Sequence, residues 1–155
     1  MSVSRRLETF VAFSAEVTAF TPTEVWGTGL TQRYLDTVDG VVGTAMTDAL
    51  LNAFDRITTQ SASERTAKLR QTVFGCEQLG PVARAVVKLW YIGTWYALPA
   101  AWQERFGPAA QDGTFVPTPD AYVEGLLWSA IGAHPPGAKA QGFGSWQFPP
   151  GIPKF

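Results

Sequence analysis

The sequence has one cysteine and one histidine, Cys76 and His134, among its 155 residues. A single cysteine excludes an internal disulfide and any metal or haem site built on paired cysteines. Cys76 itself is typical of an inert buried thiol, because no histidine or basic partner stands beside it. A single histidine would leave a zinc site to be made almost entirely of carboxylates, and the HExxH motif is absent.

Charged residues are also scarce, at 16% of the chain, and the formal net charge is −1. No basic run is present, which argues against nucleic-acid binding, because a binding surface must neutralise several phosphates. Hydrophobic residues make up 46% of the sequence. A chain of this length and composition is expected to fold as one domain with a substantial core.

Long apolar runs are missing. The most apolar segment, residues 85–98, contains Lys88 and is too short to span a bilayer. Near the start, Ser4-Arg5-Arg6 resembles a twin-arginine export signal, but Glu8 and Glu16 interrupt the apolar stretch that such a signal requires. We therefore predict an amphipathic helix there, no membrane span, and a cytoplasmic location for the chain as written, or a periplasmic one if a leader was removed.

Strict alternation of apolar and polar residues, the pattern of half-buried strands, is absent, whereas helical periodicity recurs. It predicts helices over residues 5–20, 22–38, 44–58, 61–75, 80–98 and 118–132. Capping boxes at Thr21–Glu24 and Ser61–Glu64 mark two of the starts. We predict an all-α fold: a bundle of about six helices over residues 1–131, followed by an extended Gly/Pro/aromatic tail over residues 132–155 of the same domain.

No motif for a nucleotide or prosthetic group is evident. The triplets Gly27-Thr28-Gly29 and Gly142-Phe143-Gly144 lack the strand and helix that flank phosphate-binding loops. We therefore expect no cofactor and no metal in this chain and assign no residue to catalysis. An alternative remains, in which the chain is a stand-alone enzyme or ligand-binding bundle that uses His134 with a nearby carboxylate such as Glu124.

Aromatic residues are abundant and clustered. Trp90, Tyr91, Trp95 and Tyr96 fall on one predicted helix, and Trp128 falls on the last. They favour either a protein interface or a large aromatic core. The tail allows the same two interpretations. A segment rich in Gly and Pro that carries large aromatic residues and little charge is expected to pack against a protein surface. It can fold back over the bundle or lie on a partner in extended form.

Three stretches resemble a known family: LWYIGTW (residues 89–95), AYVEGLLWSAIGAHPPGAK (121–139) and GFGSWQFPP (142–150). They are similar to the small subunit of bacterial FAD-dependent sugar and polyol dehydrogenases, the sorbitol dehydrogenase small-subunit family, whose relatives include fructose and glucose dehydrogenase small subunits. The opening LETFVAFSAEVTAF and the following GTGLTQRYLDTV also look like that family.

This resemblance implies a non-catalytic subunit that stabilises a large catalytic subunit of the glucose-methanol-choline type. The large subunit would hold FAD, with or without an iron–sulfur cluster, and a multihaem cytochrome c could be a further partner. The residues that we expect to contact the large subunit are Trp90, Tyr91, Trp95, Trp128, His134, Pro135, Pro136, Lys139, Phe143, Trp146 and Phe148.

Overall fold

The computed structural model describes residues 3–107 and 112–138, and within these ranges the protein is all-α, as predicted. Its α-helices are α1 (Val3–Thr18), α2 (Pro22–Gly27), α3 (Thr31–Val42), α4 (Thr44–Asp55), α5 (Ala62–Lys68), α6 (Leu79–Ile92), α7 (Ala100–Phe106), α8 (Asp120–Val123) and α9 (Leu126–Ala130). Helix α5 continues directly into a π-helix, Leu69–Phe74. An isolated antiparallel bridge joins Trp95 and Phe115.

Helix α1 lies at the centre and packs against α2, α3, α4 and α6. Its predicted apolar face is confirmed, since Phe10, Val11 and Phe13 are buried. Phe13 meets Phe54 of α4 edge to face, with ring centroids 5.5 Å apart. The core therefore forms where the wide apolar face of α1 meets the inner faces of its neighbours.

A charged cluster beside this core ties three helices together. Arg6 of α1 donates two hydrogen bonds to the Asp39 carboxylate of α3, at 2.5 and 2.6 Å, and one to Asp48 of α4, at 2.5 Å. The hydrogen bond to Asp39 is the main cause that raises the pKa of Arg6 above its ordinary value, against the opposing effect of burial. This cluster fixes the positions of α3 and α4 on α1.

The prediction of one helix over residues 22–38 is wrong, because two helices, α2 and α3, occupy this stretch. The chain leaves the helix at Thr28, whose hydroxyl donates to the Val25 carbonyl and accepts from the Leu30 amide, at 2.8 and 3.1 Å. Gly29 then adopts a left-handed conformation with φ of +71°. Helix α3 continues through Gly40, and Gly43, with φ of +83°, separates it from α4.

The predicted helix over residues 80–98 is too long, and the helix predicted over residues 118–132 is interrupted. Helix α6 ends at Gly93, whose φ is +71°. A Cβ at Gly93 would lie 2.3 Å from the Ala121 carbonyl oxygen, and one at Gly125 would lie 2.9 Å from the Tyr91 carbonyl oxygen. The two segments thus touch backbone to backbone, and each contact coincides with a break in a helix.

The other predicted helices are present, and both capping boxes form. In the described part of the chain, no helix combines the length and apolar character needed to cross a bilayer.

Candidate functional site

Two of the tryptophans that we predicted to contact a partner lie in the protein's own core. Trp90 and Trp95 are both 0% exposed. The Trp90 indole donates to the Ser14 hydroxyl at 2.9 Å, and the Trp95 indole donates to the Asp112 carboxylate at 3.3 Å. A side chain without accessible surface offers nothing to a partner, so these two residues are corrected to core residues.

Tyr91 has an intermediate position. Its ring packs edge to face on Phe20, with centroids 6.1 Å apart, and its hydroxyl donates to the Thr18 carbonyl at 2.7 Å. The side chain is half-buried and links the C-terminal end of α6 to that of α1. Tyr91 therefore joins α1 and α6 at the place where its carbonyl oxygen meets Gly125.

Four residues singled out in the sequence come together in one groove. The groove has a volume of about 220 Å³ and lies between α2 and the segment that carries α9 and the following turn. Trp128, His134 and Pro135 line it together with Glu124, the carboxylate proposed for the alternative function. We call it the C-terminal groove.

The local backbone explains how these side chains meet. After α9, Gly132 adopts φ of +66°, and the Ala133 amide returns to the Trp128 carbonyl at 2.8 Å. This turn reverses the chain and brings His134 and Pro135 alongside Trp128. Pro135 is buried, whereas His134 and Pro136 are exposed.

Trp128 is held in place by two contacts with Tyr122. Its indole donates to the Tyr122 carbonyl at 2.8 Å, and the two rings meet edge to face with centroids 5.3 Å apart. A half-buried, positioned indole on the wall of a groove is well suited to contact an apolar or cationic group.

The groove carries negative charge. Glu24 closes the capping box of α2, and the hydrogen bond from the Thr21 hydroxyl is the main cause that lowers the pKa of Glu24. Glu124 is the second carboxylate of the groove. Burial raises the pKa of Tyr34, a core residue of α3, and the negative charge of Glu124 raises it further. With His134 on the same groove, the site offers two carboxylates and one imidazole, the groups used in proton transfer.

In the described ranges, no group of three or more His, Cys, Asp or Glu side chains that could hold a metal ion is found.

Sequence reasoning missed four exposed apolar residues, one at the end of α6 and three on the segment that carries α8 and α9. Ile92, Tyr122, Leu127 and Ile131 are 45%, 46%, 37% and 61% exposed. Leu127 and Ile131 are four residues apart at the end of α9 and so lie on the same side of that helix. Their spacing places them on one face of any helix through these residues, but spacing alone does not show whether that face is buried or exposed. We call these four residues the exposed apolar set.

The other predicted contact residues, Lys139, Phe143, Trp146 and Phe148, lie outside the described residues. In comparisons with known proteins, no family model, curated protein or solved structure matches this chain.

Proposed function

We propose that this chain is a non-catalytic subunit that binds and stabilises the FAD-containing catalytic subunit of an alcohol or sugar dehydrogenase complex. The catalytic subunit is of the glucose-methanol-choline type, and FAD, with or without an iron–sulfur cluster, belongs to it. A multihaem cytochrome c is a possible third component of the complex. Hydroxyl oxidation takes place in the large subunit, and this chain contributes a contact surface.

One observation carries the proposal: two of the three stretches that resemble the small-subunit family, residues 89–95 and 121–138, are neighbours in space. Residues 89–95 end α6, and residues 121–138 form α8, α9 and the turn that follows. They touch at Gly93 with Ala121 and at Gly125 with Tyr91. Stretches that are separate in the sequence thus form one continuous region, as a shared binding surface requires.

The same region carries apolar surface. The four residues of the exposed apolar set all belong to these two stretches. Large apolar side chains exposed to water on neighbouring segments are typical of surfaces that a partner covers. Trp128 and Pro135 extend this surface into the C-terminal groove. By the resemblance, the tail with Phe143, Trp146 and Phe148 adds to the same contact.

The first prediction tests the subunit role. We expect a flavoprotein of the glucose-methanol-choline type to be encoded beside this chain. A tagged chain co-expressed with that flavoprotein should recover a complex that contains FAD and oxidises a sugar or polyol. Ile131→Asp and Trp146→Ala should each lower this recovery at least tenfold, because a buried charge or a lost aromatic anchor weakens an interface strongly. The melting temperature of each isolated variant should stay close to that of the wild type.

Val116→Asp is the matched control, since Val116 is 55% exposed and lies outside the proposed surface. It should leave recovery unchanged. A wild-type chain that stays a stable monomer and recovers no flavoprotein would contradict the proposal. Equal losses in Ile131→Asp and Val116→Asp would contradict the assignment of the surface.

A second candidate function, a stand-alone enzyme or ligand-binding protein, is favoured by one observation. His134 and Glu124 line the same groove although they are ten residues apart in the sequence. An imidazole and a carboxylate that line one groove are groups that general acid–base catalysis uses.

The second prediction tests whether His134 transfers a proton in the assembled complex. In the subunit role, His134 takes no part in proton transfer. His134→Ala should then leave turnover per assembled flavin within about twofold of the wild type, far less than the loss of an acid or base would cost. If His134 transfers a proton, turnover should fall by about 10²–10⁴ with assembly intact. Pro136→Ala, at the exposed neighbouring proline, controls for effects on the turn.

A further inference from the structure

A second groove lies on another face of the protein, between α6 and the extended segment that follows it. It has a volume of about 160 Å³, and its wall includes Pro81 and Ala85 of α6 and Leu98 and Pro99 of the segment. These side chains make the wall largely apolar. Arg84, Lys88, Tyr96 and Ala97 complete the lining, and we call this the basic groove.

Arg84 and Lys88 give the groove its charge. They stand one helical turn apart on α6, a spacing at which like charges repel and destabilise a helix slightly. Among the described residues, neither has a carboxylate within ion-pair distance. The described residues that line the groove include no Asp or Glu. An anion placed between the two cations would relieve their repulsion.

Neutral contacts hold both cations in place. Arg84 donates to the Phe74 carbonyl at 2.8 Å, and its guanidinium lies 5.8 Å from the centroid of the Phe74 ring. The Lys88 ammonium lies 5.3 Å from the centroid of the Tyr96 ring. These contacts position the charges without neutralising them, which lowers the entropy lost when an anionic ligand binds.

The chemistry of the groove selects its occupant. A small inorganic anion would leave the apolar wall unused. Nucleic acid would need more cations than this pair on a chain of net charge −1. A peptide that carries carboxylates next to an apolar side chain would satisfy both the cations and the wall.

The chain's own C-terminal residues do not have this chemistry. Residues 139–155 contain Lys139 and Lys154 and no Asp or Glu. Their charge is of the same sign as that of the groove, so they would add to the repulsion. The charge of the groove is therefore better complemented by an acidic segment of another chain.

We propose that the basic groove docks an acidic, partly apolar peptide segment of a partner protein, with Arg84 and Lys88 binding its carboxylates. This contact is separate from the C-terminal groove and the exposed apolar set. It requires a protein partner but does not require that the partner be a flavoprotein.

The third prediction uses the isolated full chain and a displayed library of random peptides. The selected peptides should be enriched in Asp and Glu beside Leu, Phe or Pro. A labelled selected peptide should bind Lys88→Glu at least tenfold more weakly than the wild type, and Arg84→Gln more weakly too. Its affinity should fall as the salt concentration is raised, because salt screens exposed charges.

Arg56→Glu is the matched control, because it changes the net charge by the same amount as Lys88→Glu. Arg56 is exposed and lines neither groove. It should change the affinity less than twofold. Selection of peptides without acidic residues, no selection at all, or equal losses in Lys88→Glu and Arg56→Glu would overturn the proposal. Competition by inorganic phosphate as effective as that by the peptide would also overturn it, since the groove would then be an anion site only. So would loss of peptide binding through self-association of the chain at this groove.

The recovery of the flavoprotein complex is tested on other residues, Ile131 and Trp146. A negative result in the peptide experiment therefore does not contradict the subunit role. The two proposals can therefore fail independently.

Discussion

Gly93→Ala should destabilise the protein by about 4 kcal/mol, the largest effect that we expect from a single methyl group here. Two costs add together. The residue must hold φ of +71°, a conformation that costs an L-residue about 1 kcal/mol or more. The new Cβ would also lie 2.3 Å from the Ala121 carbonyl oxygen, so α6 and α8 would have to move apart.

Gly29→Ala is a close control, because Gly29 has the same φ of +71° but nothing within 4 Å of the added Cβ. It should cost only the conformational term, about 1 kcal/mol. Urea denaturation of both variants and the wild type measures the two losses. If the two variants lose the same stability, the close approach of Gly93 to Ala121 contributes nothing, and the proposed contact between these two segments is contradicted.

Movement at this contact would also disturb the proposed binding surface. Ile92 and Tyr122 flank the point where Gly93 meets Ala121. A variant that shifts α8 away from α6 should therefore bind the partner less well, in addition to being less stable. Gly29→Ala should not show this second effect.

Arg6→Gln should cost about 2–3 kcal/mol, because it leaves two carboxylates without their common cation. Arg6 and Asp39 are only 16% and 18% exposed, so water compensates little for the lost hydrogen bonds. The planar guanidinium binds Asp39 through two parallel hydrogen bonds, a geometry that glutamine cannot reproduce.

The neighbouring residue supplies the control. Arg5 pairs with Asp55 at 3.3 Å, but the two side chains are 64% and 42% exposed. Exposed pairs contribute little, so Arg5→Gln should cost less than about 0.5 kcal/mol. Chemical denaturation at neutral pH compares the two variants. Equal and small losses would mean that the cluster of Arg6, Asp39 and Asp48 does not stabilise the packing of α1 against α3 and α4.

These two arginines also explain part of the sequence. The pair Arg5-Arg6 resembles an export signal, yet in the folded protein Arg6 bridges α3 and α4. The surrounding helix carries its apolar residues at helical spacing and buries them. A short basic motif can thus have a structural role that only its long-range partners reveal.

The sequence by itself determined the all-α class, the apolar face of α1 and the two capping boxes at Thr21 and Ser61. These features depend on residues that are close together along the chain. Helical periodicity arises from the 3.6-residue turn, and a capping box closes between residues three apart. No distant segment has to be known in order to predict them.

Only the tertiary structure decided where α6 ends, which tryptophans are buried and which polar residues share a groove. Glycine is tolerated inside a helix, as at Gly40, or ends one, as at Gly93. At Gly93 the helix ends where the Ala121 backbone comes into contact. Trp95 follows the end of α6 and is buried in the core. His134 lines the same groove as Glu124 because the chain turns at Gly132. Each outcome depends on contacts between residues far apart in the sequence, and periodicity reports that a residue is buried without reporting which neighbour buries it.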